Sequence, residues 1–316
     1  MNRGKSSESE VLSRVTRKVL VLPGSGLKQG IGDDCAIFRP RGATEDLLFT
    51  TDLLLENVHF RRETHSAEDI GYKALARGLS DIAAMGGEPR FCLLSLAIPR
   101  WANRSWVDRF YSGFLQLAHR TGAPLAGGDL ARSDRLACDV TVCGATPPNR
   151  ALLRSGARPG DHIYVSGFLG GSALGLSGAK GRARKRHLRP EPRLALGKFL
   201  RDKVRAHAAM DISDGLSLDL RRMCLASGVS AEIEPPPVFP GATLKQALHG
   251  GEDYELLFTV APRTHPPDDF EGLPLTRIGT ITSHTGRNAC ATRRPGSVLL
   301  NGKPLAPLGF DHFQNS

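Results

Sequence analysis

Residues 30–52 read GIGDDCAIFRPRGATEDLLFTTD, and this stretch sets the start of the fold. Two short apolar runs, 35–38 and 46–51, stand on either side of a segment that contains Pro40 and Gly42. Apolar runs separated by turn-forming residues are typical of paired strands. The stretch therefore predicts an antiparallel hairpin.

The two ends of this hairpin carry acidic and hydroxyl side chains. Folded about its midpoint, the hairpin sets Asp34 roughly opposite Asp52, with Asp33 beside them. Carboxylates that face each other across two strands repel, so a positive charge is expected between them. Each end alone is best explained as a solvated turn. Their convergence, with the hydroxyls of Thr50 and Thr51 nearby, predicts a divalent-cation site of the oxygen ligands that Mg²⁺ prefers.

The length and composition are those of a globular protein. The chain has 316 residues, of which 40% are hydrophobic and 23% charged, and it is long enough for two domains. The longest apolar run, residues 91–98, is far too short to cross a membrane. The first ten residues lack the apolar segment of a signal peptide. A cytoplasmic location is the expectation.

Cysteine usage and charge exclude some classes of site. The six cysteines form no CxxC pair, which argues against a structural zinc and against a disulfide framework. Part of the net charge of +10 lies in residues 180–189, which hold six Lys and Arg residues. No aromatic residues stand among them for base stacking, so a solvated loop is favoured over a nucleic-acid groove. A basic surface also suits an enzyme with phosphate substrates.

A helix follows the hairpin. The capping-box-like start at Ser66 and apolar residues at helical spacing predict a helix that stops at Gly86. Asp81 falls in its last turn, where the helix dipole disfavours a negative charge. An ion pair with Arg77 and a cation shared with the hairpin aspartates explain this carboxylate equally well.

Further acidic groups follow glycines or strands. Gly127 and Gly128 precede Asp129, so the backbone there can approach a ligand closely, although a glycine pair is also simply a turn. A strand over 136–144 then ends in a proline pair. We place a domain boundary there, giving domains 1–147 and 148–316.

The second domain holds three more candidate stretches. The glycine-rich turn 167–171 opens a helix and could hold a phosphate, but no P-loop is present. Residues 210–220 read MDISDGLSLDL, where Ser213 or Asp214 is expected to cap a helix. The acidic residues at 252–255 suit a cation or a cationic substrate, or form an exposed acidic turn. The tail from 263 to 301 is predicted to be loop-rich with short strands.

Seven ordered motifs together resemble a known family. They are GIGDDCAIF, TTDLLLENVHF, LSDIAAMGG, AGGDLARSD, LRSGARPGD, MDISDGLSLDL and GGEDYELLF, spread over residues 30–258. In this order they closely resemble the thiamine-monophosphate kinase family, which is related to aminoimidazole ribonucleotide synthetase and selenophosphate synthetase. The resemblance implies an α/β fold of two α/β domains, with a mixed N-terminal sheet that pairs in a homodimer. It also implies ATP bound between the domains with several Mg²⁺ ions.

The resemblance assigns site residues by motif position. It implies a metal set of Asp34, Thr50, Thr51, Asp52, Asp81, Asp129, Asp211 and Asp214. The positions that match ATP contacts are Tyr111, Gly128, Asp129, Arg154 and Ser213. Those that match contacts to thiamine monophosphate are His59, Glu252 and Phe310, and Glu252 would favour the thiazolium or the aminopyrimidine of the substrate.

The implied reaction needs no covalent phosphoenzyme. The attacking group is a phosphate oxygen, ionised at neutral pH, so the main obstacle is to bring two polyanions together, and aspartate-bound Mg²⁺ serves that purpose. Arg77 and Gly78 depart from the family, which usually has Asn before Leu-Ser-Asp, and Arg77 is expected to compete with a metal for Asp81. Two alternatives remain: another ATP-using enzyme of the superfamily, and a non-catalytic phosphate or nucleic-acid binding protein.

Overall fold

The computed structural model describes residues 8–19, 24–283 and 294–310. Its N-terminal half contains three helices and one six-stranded sheet. In chain order the elements are α1 (Glu8–Thr16), β1 (Leu27–Gln29), β2 (Ala36–Phe38), β3 (Asp46–Leu55), α2 (Ala67–Ala84), β4 (Glu88–Pro99), α3 (Arg104–Thr121), β5 (Leu125–Ser133) and β6 (Ala137–Thr146).

The N-terminal sheet is mixed, with strand order β1-β2-β3-β6-β4-β5. Only β4 and β5 are parallel neighbours, and the other pairs are antiparallel. Strand β3 alternates between buried and more exposed side chains, as expected for a strand with one face on the core. Thr50 and Asp52 therefore share the face that α2 covers with Leu48 and Leu54, whereas Thr51 points to the opposite, exposed face.

Helix α2 is buried on nearly all sides. Ser66 caps it by accepting the Asp69 N–H at 3.1 Å, as the capping signal predicts. Fourteen of its residues are buried, so it has no broad polar face and packs between the two halves of the chain. Gly71 permits a close crossing with α3, because a Cβ there would lie 2.0 Å from the carbonyl oxygen of Phe110. Polar side chains on α2 consequently face protein or a cavity.

The C-terminal half contains an eight-stranded mixed sheet flanked by five helices. After a 3₁₀ turn (Arg154–Gly156), its elements are β7 (His162–Ser166), α4 (Gly171–Leu176), α5 (Arg182–Leu188), α6 (Leu194–Phe199), β8 (Ala208–Asp211), α7 (Leu216–Ser227), β9 (Ser230–Ile233), α8 (Leu244–His249), β10 (Leu256–Val260), β11 (Asp269–Phe270), β12 (Leu273–Thr282), β13 (Val298–Leu300) and β14 (Lys303–Pro304). A π turn (Leu200–Val204) continues α6. The strand order is β14-β13-β9-β12-β7-β10-β8, with β11 beside β12.

This architecture confirms the predicted class of two α/β units with a mixed N-terminal sheet. The boundary at 147/148 stays a prediction. In the tail, β11 and β13 are short strands as predicted, but β12 is longer than expected, with ten residues that pair with both β7 and β9. Its Pro274 and Gly279 resemble turn signals, but backbone pairing on both sides outweighs them. None of the helices within the described ranges has the length and apolar character needed to cross a membrane.

Candidate functional site: an acidic cluster at the junction of the two halves

Three carboxylates from distant parts of the chain meet at the junction between the two halves. Asp34 lies in the bend before β2, Asp81 in the last turn of α2, and Asp211 at the end of β8. One oxygen atom from each lies within 4.8 Å of those of the other two. The sequence placed these residues in separate motifs, and the fold brings them into one cluster.

The cluster is electrostatically unfavourable without a cation. Burial raises the pKa of Asp81 and of Asp211 well above the usual aspartate range, and the neighbouring carboxylates raise both further. The Oδ2 atom of Asp34 is buried and accepts no hydrogen bond from the described part of the chain. Three close carboxylates with a spare buried oxygen fit the coordination of a hard divalent cation such as Mg²⁺.

Hydroxyl groups orient two of these carboxylates. Thr50 donates a 2.5 Å hydrogen bond to Asp81, and Ser80 donates one of 2.7 Å to Asp211. Ser80 is fully buried and stands beside Asp81 on α2. The same turn of α2 thus supplies one carboxylate and positions another, a role for Ser80 that residue type alone does not reveal.

Arg154 joins the halves at the same point. Its guanidinium binds the Asp34 carboxylate, and its backbone N–H lies 3.2 Å from both oxygens of Asp33. Burial and the adjacent Asp34 raise the pKa of Asp33 to about 7, although Arg154 opposes this shift. Asp33 therefore shapes the turn by binding backbone, and Arg154 places positive charge beside the cluster.

The hairpin register differs from the prediction by one residue. Ala36 pairs with Phe49, so continuing the ladder would set Asp34 against Thr51, not Asp52. Strand β2 also ends at Ala36, and the bend before it turns Asp34 towards Asp81. The direct pairing of Asp34 with Asp52 is wrong because the hairpin is centred between Gly42 and Ala43, but both side chains lie on the α2 side of the sheet.

Arg77 pairs with the other hairpin acid. Its Nη2 donates a 2.9 Å hydrogen bond to Asp52, and its Nη1 donates one to the Leu53 carbonyl. The ion pair with Asp81 considered from sequence is therefore not formed. Arg77 lies one turn before Asp81 on α2, where its long side chain extends across to β3, so it affects Asp52 directly.

A cleft of about 560 Å³ opens beside the cluster. Apolar residues line part of its wall, among them Val58, Leu176 and Leu308. The cleft also brings together eight of the predicted site residues: Asp52, His59, Asp81, Asp211, Ser213, Asp214, Glu252 and Phe310. Within it, His59 Nδ1 accepts the Leu55 N–H at 3.0 Å. A partly apolar cleft with convergent charged groups is typical of a small-molecule site.

Four predicted residues lie outside this assembly. The Thr51 hydroxyl faces the exposed side of the sheet and binds Asp139 at 2.8 Å. Tyr111 packs against the core from α3. Gly128 and Asp129 lie on the edge strand β5, with Asp129 in register with Ser95. Strands β4 and β6 lie between β5 and β3, so Asp129 is three strand spacings, or about 14 Å, from β3. Asp129 therefore does not reach the cluster of its own chain.

Two acids of the stretch at 252–255, Asp253 and Glu255, form neither an exposed turn nor an open cation site. Asp253 accepts the Gly170 and Ser172 N–H groups at 2.5 and 3.0 Å, and Glu255 binds Arg186 and Arg193. The carboxylate of Asp253 thus occupies the glycine-rich turn predicted as a possible phosphate cradle. The side chains of both acids are buried, and their charges are tolerated there because arginines and backbone N–H groups compensate them.

Most of the basic segment 180–189 is a helix and not a loop, although Lys180, Arg182 and Lys185 are exposed as expected. Residues 182–188 form α5, from which Arg186 binds Glu255 at 2.7 Å, and Arg189, directly after the helix, binds Asp69 at 2.5 Å. Arg184 also donates to the Thr64 carbonyl in the N-terminal half. The prediction failed because the acidic partners lie far away in sequence.

The start of α7 also differs from the prediction. Gly215 is the residue before the helix, and no side chain of Ser213 or Asp214 caps it. Instead Asp219, from the first turn, accepts the N–H groups of Asp214 and Gly215, each at 3.0 Å. Asp214 pairs with Arg222 and lines the cleft. Asp214 is consequently not used as a helix cap, and its side chain lies at the cleft wall beside Arg222.

Two residues of the site were missed from sequence. Lys73 is wholly buried on α2, where its Nζ lies 2.8 Å from Glu252, and His187 from α5 lines the cleft. A lysine among the apolar residues of a buried helix was an available signal, because a buried ammonium requires a partner. His187 carried no comparable signal, since its surroundings come from tertiary packing.

Comparison with known proteins shows which families the chain resembles. Residues 32–146 match the family "AIR synthase related protein, N-terminal domain", and residues 158–287 match "AIR synthase related protein, C-terminal domain". A thiamine-monophosphate kinase of Rhodopirellula baltica is 40% identical, over 81% of this chain and 84% of its own. The one from Escherichia coli (strain K12) is 39% identical, over 90% of this chain and 91% of its own.

A solved structure is similar along its whole length. It is "AaThiL complexed with AMPPCP and TMP", with a TM-score of 0.84, 32% identity and 99% of each chain covered. The motif-based resemblance is thereby confirmed.

Proposed function

Because this chain belongs to the thiamine-monophosphate kinase family, we propose that it transfers the γ-phosphoryl group of ATP to thiamine monophosphate, giving thiamine diphosphate and ADP. The observation that carries the proposal is the cluster of Asp34, Asp81 and Asp211 beside a cleft of about 560 Å³. The similar solved structure holds AMPPCP and TMP, which supports ATP and thiamine monophosphate as the two substrates.

The residues of the cluster suit a reaction between two polyanions. The acceptor oxygen belongs to a phosphate that is ionised at neutral pH, so it can attack without a strong general base. Mg²⁺ held by the clustered carboxylates would neutralise charge on the phosphates. Arg154 places a guanidinium at the same point, and Thr50 and Ser80 fix the orientation of two carboxylates.

We infer direct in-line transfer without a covalent phosphoenzyme. The nucleophile is the substrate's own phosphate oxygen: it forms the new bond to the γ-phosphorus as the bond to the β-γ bridging oxygen breaks, and ADP leaves. The chain's contribution is then positioning and charge balance, which account for most of the catalysis in phosphoryl transfer. More than one metal is proposed, because Asp52 and Asp214 line the cleft in addition to the cluster.

The proposal includes a homodimer. Strand β5 is an exposed edge, and the free face of the N-terminal sheet presents Leu53 and Leu93 to solvent. A long exposed edge and an apolar sheet face are typical association surfaces. Asp129 on this edge would then lie nearer to a second copy than to the cluster of its own chain. Mixing inactive Asp52→Asn and Asp129→Asn subunits should restore part of the activity if the partner completes the site.

A direct assay tests the function. The purified protein incubated with ATP, Mg²⁺ and thiamine monophosphate should form thiamine diphosphate, detected by chromatography. Asp81→Asn should lose activity at least about a hundredfold, because removing one preorganised charge from a transition-state site costs that much. Glu45→Gln, which removes a carboxylate of an exposed salt bridge, is the matched control and should remain active. Absence of product from the unmodified protein would refute the assignment, and salt-dependent nucleic-acid binding would favour the non-catalytic alternative.

A further inference from the structure

A fully buried lysine stands behind the cleft wall. Lys73 lies on α2 in the N-terminal half, has no exposed side-chain surface, and places Nζ 2.8 Å from Glu252 Oε1. An ammonium in such a position is strongly unfavourable unless a carboxylate compensates it. A leucine or methionine would fill the same space without this penalty, so the charge itself calls for an explanation.

Glu252 is held in place from several sides. It has φ of 63°, a left-handed conformation that is strained for a residue with a side chain, and its N–H donates a 2.7 Å hydrogen bond to the Ser213 carbonyl. Its second oxygen lies 3.3 Å from Nδ1 of His187, which is also 3.0 Å from the Ser172 hydroxyl. One carboxylate oxygen is therefore paired with Lys73, the other lies beside His187, and the side chain remains 24% exposed, to the cleft.

The ionisation of Glu252 is fixed by these contacts. Burial alone would disfavour the carboxylate, but the nearby ammonium of Lys73, with smaller effects of His187 and Arg77, lowers the pKa of Glu252 to about 2. Burial lowers the pKa of His187 to about 3, so its imidazole is neutral at pH 7. The pair of Lys73 and Glu252 carries no net charge.

This neutral pair changes what Glu252 can recognise. An isolated carboxylate would attract any cation, including the thiazolium ring of thiamine. A carboxylate already balanced by an ammonium attracts a cation weakly, but its remaining lone pairs still accept hydrogen bonds in fixed directions. Such a group discriminates by the position of donor groups.

We propose that Lys73 is the positioning residue of substrate recognition: by binding Glu252 across the junction of the two halves, it presents that carboxylate as an oriented acceptor for the pyrimidine amino group of thiamine monophosphate. The inference rests on the proposed function. It assigns Lys73 no contact with substrate and no part in phosphoryl transfer.

Steady-state kinetics of Lys73→Met test this inference. The KM for thiamine monophosphate should rise by roughly ten- to a hundredfold, the loss expected for a misplaced hydrogen bond to a charged group, while kcat and the KM for ATP change little. Arg189→Gln is the matched control, because it removes another ion pair between the halves, to Asp69, without contacting Glu252. This control should leave all three constants near those of the unmodified protein.

The substrate analogue with oxygen in place of the amino group gives a second readout. The unmodified protein should discriminate against the phosphate ester of this analogue, and Lys73→Met should lose most of that discrimination. A general loosening of the fold would not selectively remove it, since such an effect acts on both substrates alike.

A double-mutant cycle tests whether Lys73 acts through Glu252. Lys73→Met combined with Glu252→Gln should bind thiamine monophosphate no worse than Glu252→Gln alone. The same comparison serves if Lys73→Met does not fold, because the double variant has no unpaired buried charge.

Three outcomes overturn the inference while thiamine diphosphate is still formed by the unmodified protein: an unchanged KM in Lys73→Met, an equal loss in the KM for ATP, or additive effects in the cycle. An unmodified protein without any kinase activity overturns the proposed function, and the inference with it.

Discussion

Arg77 donates a 2.9 Å hydrogen bond from α2 to the carboxylate of Asp52 on β3. Both side chains lie in the wall of the cleft, and the Arg77 side chain is only 13% exposed. Since an arginine cannot release its charge near neutral pH, Asp52 binds a metal only in competition with, or after displacement of, this guanidinium.

We therefore expect Arg77→Met to lower the Mg²⁺ concentration needed for half-maximal activity by about tenfold. This factor corresponds to the free energy of a partly buried charge-assisted hydrogen bond. A Mg²⁺ titration of the initial rate measures this. Arg90→Met removes the exposed pair with Glu45 and should leave the titration unchanged. An increased Mg²⁺ requirement in Arg77→Met would mean that Arg77 assists the site instead of competing in it.

Asp211→Asn should separate stability from activity. The variant removes one of three close, buried carboxylates, so without Mg²⁺ it should unfold a few degrees higher than the unmodified protein, a gain of roughly 1 kcal/mol. Activity should fall at least about a hundredfold.

Thermal unfolding with EDTA and with excess Mg²⁺ checks the stability, and the initial rate of thiamine diphosphate formation checks the activity. Mg²⁺ should stabilise the unmodified protein more than Asp211→Asn, because a bound cation stabilises only the state that binds it. Asp202→Asn, a change in a carboxylate that pairs with Arg201 away from the cluster, should keep the full response to Mg²⁺. Equal Mg²⁺ responses in all three proteins would argue against a cation at the cluster.

His65 should make the protein less stable in mild acid. Burial and the nearby Lys73 lower its pKa to about 4, although Glu252 opposes the shift. Between pH 6.5 and 4 the unfolded chain binds a proton that the folded protein does not, so the free energy of unfolding falls as the pH falls, by about 1.4 kcal/mol per unit.

Urea unfolding of the unmodified protein and His65→Leu at several pH values isolates this contribution. The stability of the unmodified protein relative to the variant should be constant above pH 7.5 and should decrease below 6.5. A difference that stays constant down to pH 5 would contradict the burial of a neutral His65.

Gly128 is needed by the sheet itself. Its φ is 152°, and a Cβ there would lie 1.8 Å from the carbonyl oxygen of Leu94. Gly128→Ala should therefore cost about 3 kcal/mol or more, because backbone of the neighbouring strand must move. Gly122→Ala has a positive φ of 67° but meets no atom within 4 Å, and should cost only about 1 kcal/mol. Thermal unfolding distinguishes the two, and similar losses would argue against the close strand contact.

Local pattern predicted much of the fold. The strand predicted over 136–144 matches β6 (Ala137–Thr146) to within two residues at each end, and the cap and apolar spacing predict α2. These signals are local, since a strand or helix shows its period in its own residues. Strand β12 escaped prediction because its proline and glycine obscure the pattern, and only its neighbours on both sides stabilise it.

The sequence alone identified the acidic residues of the cleft and the family to which the chain belongs, because residue types and the order of motifs can be read without the structure. Tertiary structure decided which charges meet. It directed Arg77 to Asp52, brought Arg186 of α5 to Asp253 and Glu255, and placed Lys73 behind Glu252. The reason is physical: an ion pair depends on distance and burial, and both are set by packing between segments far apart in sequence.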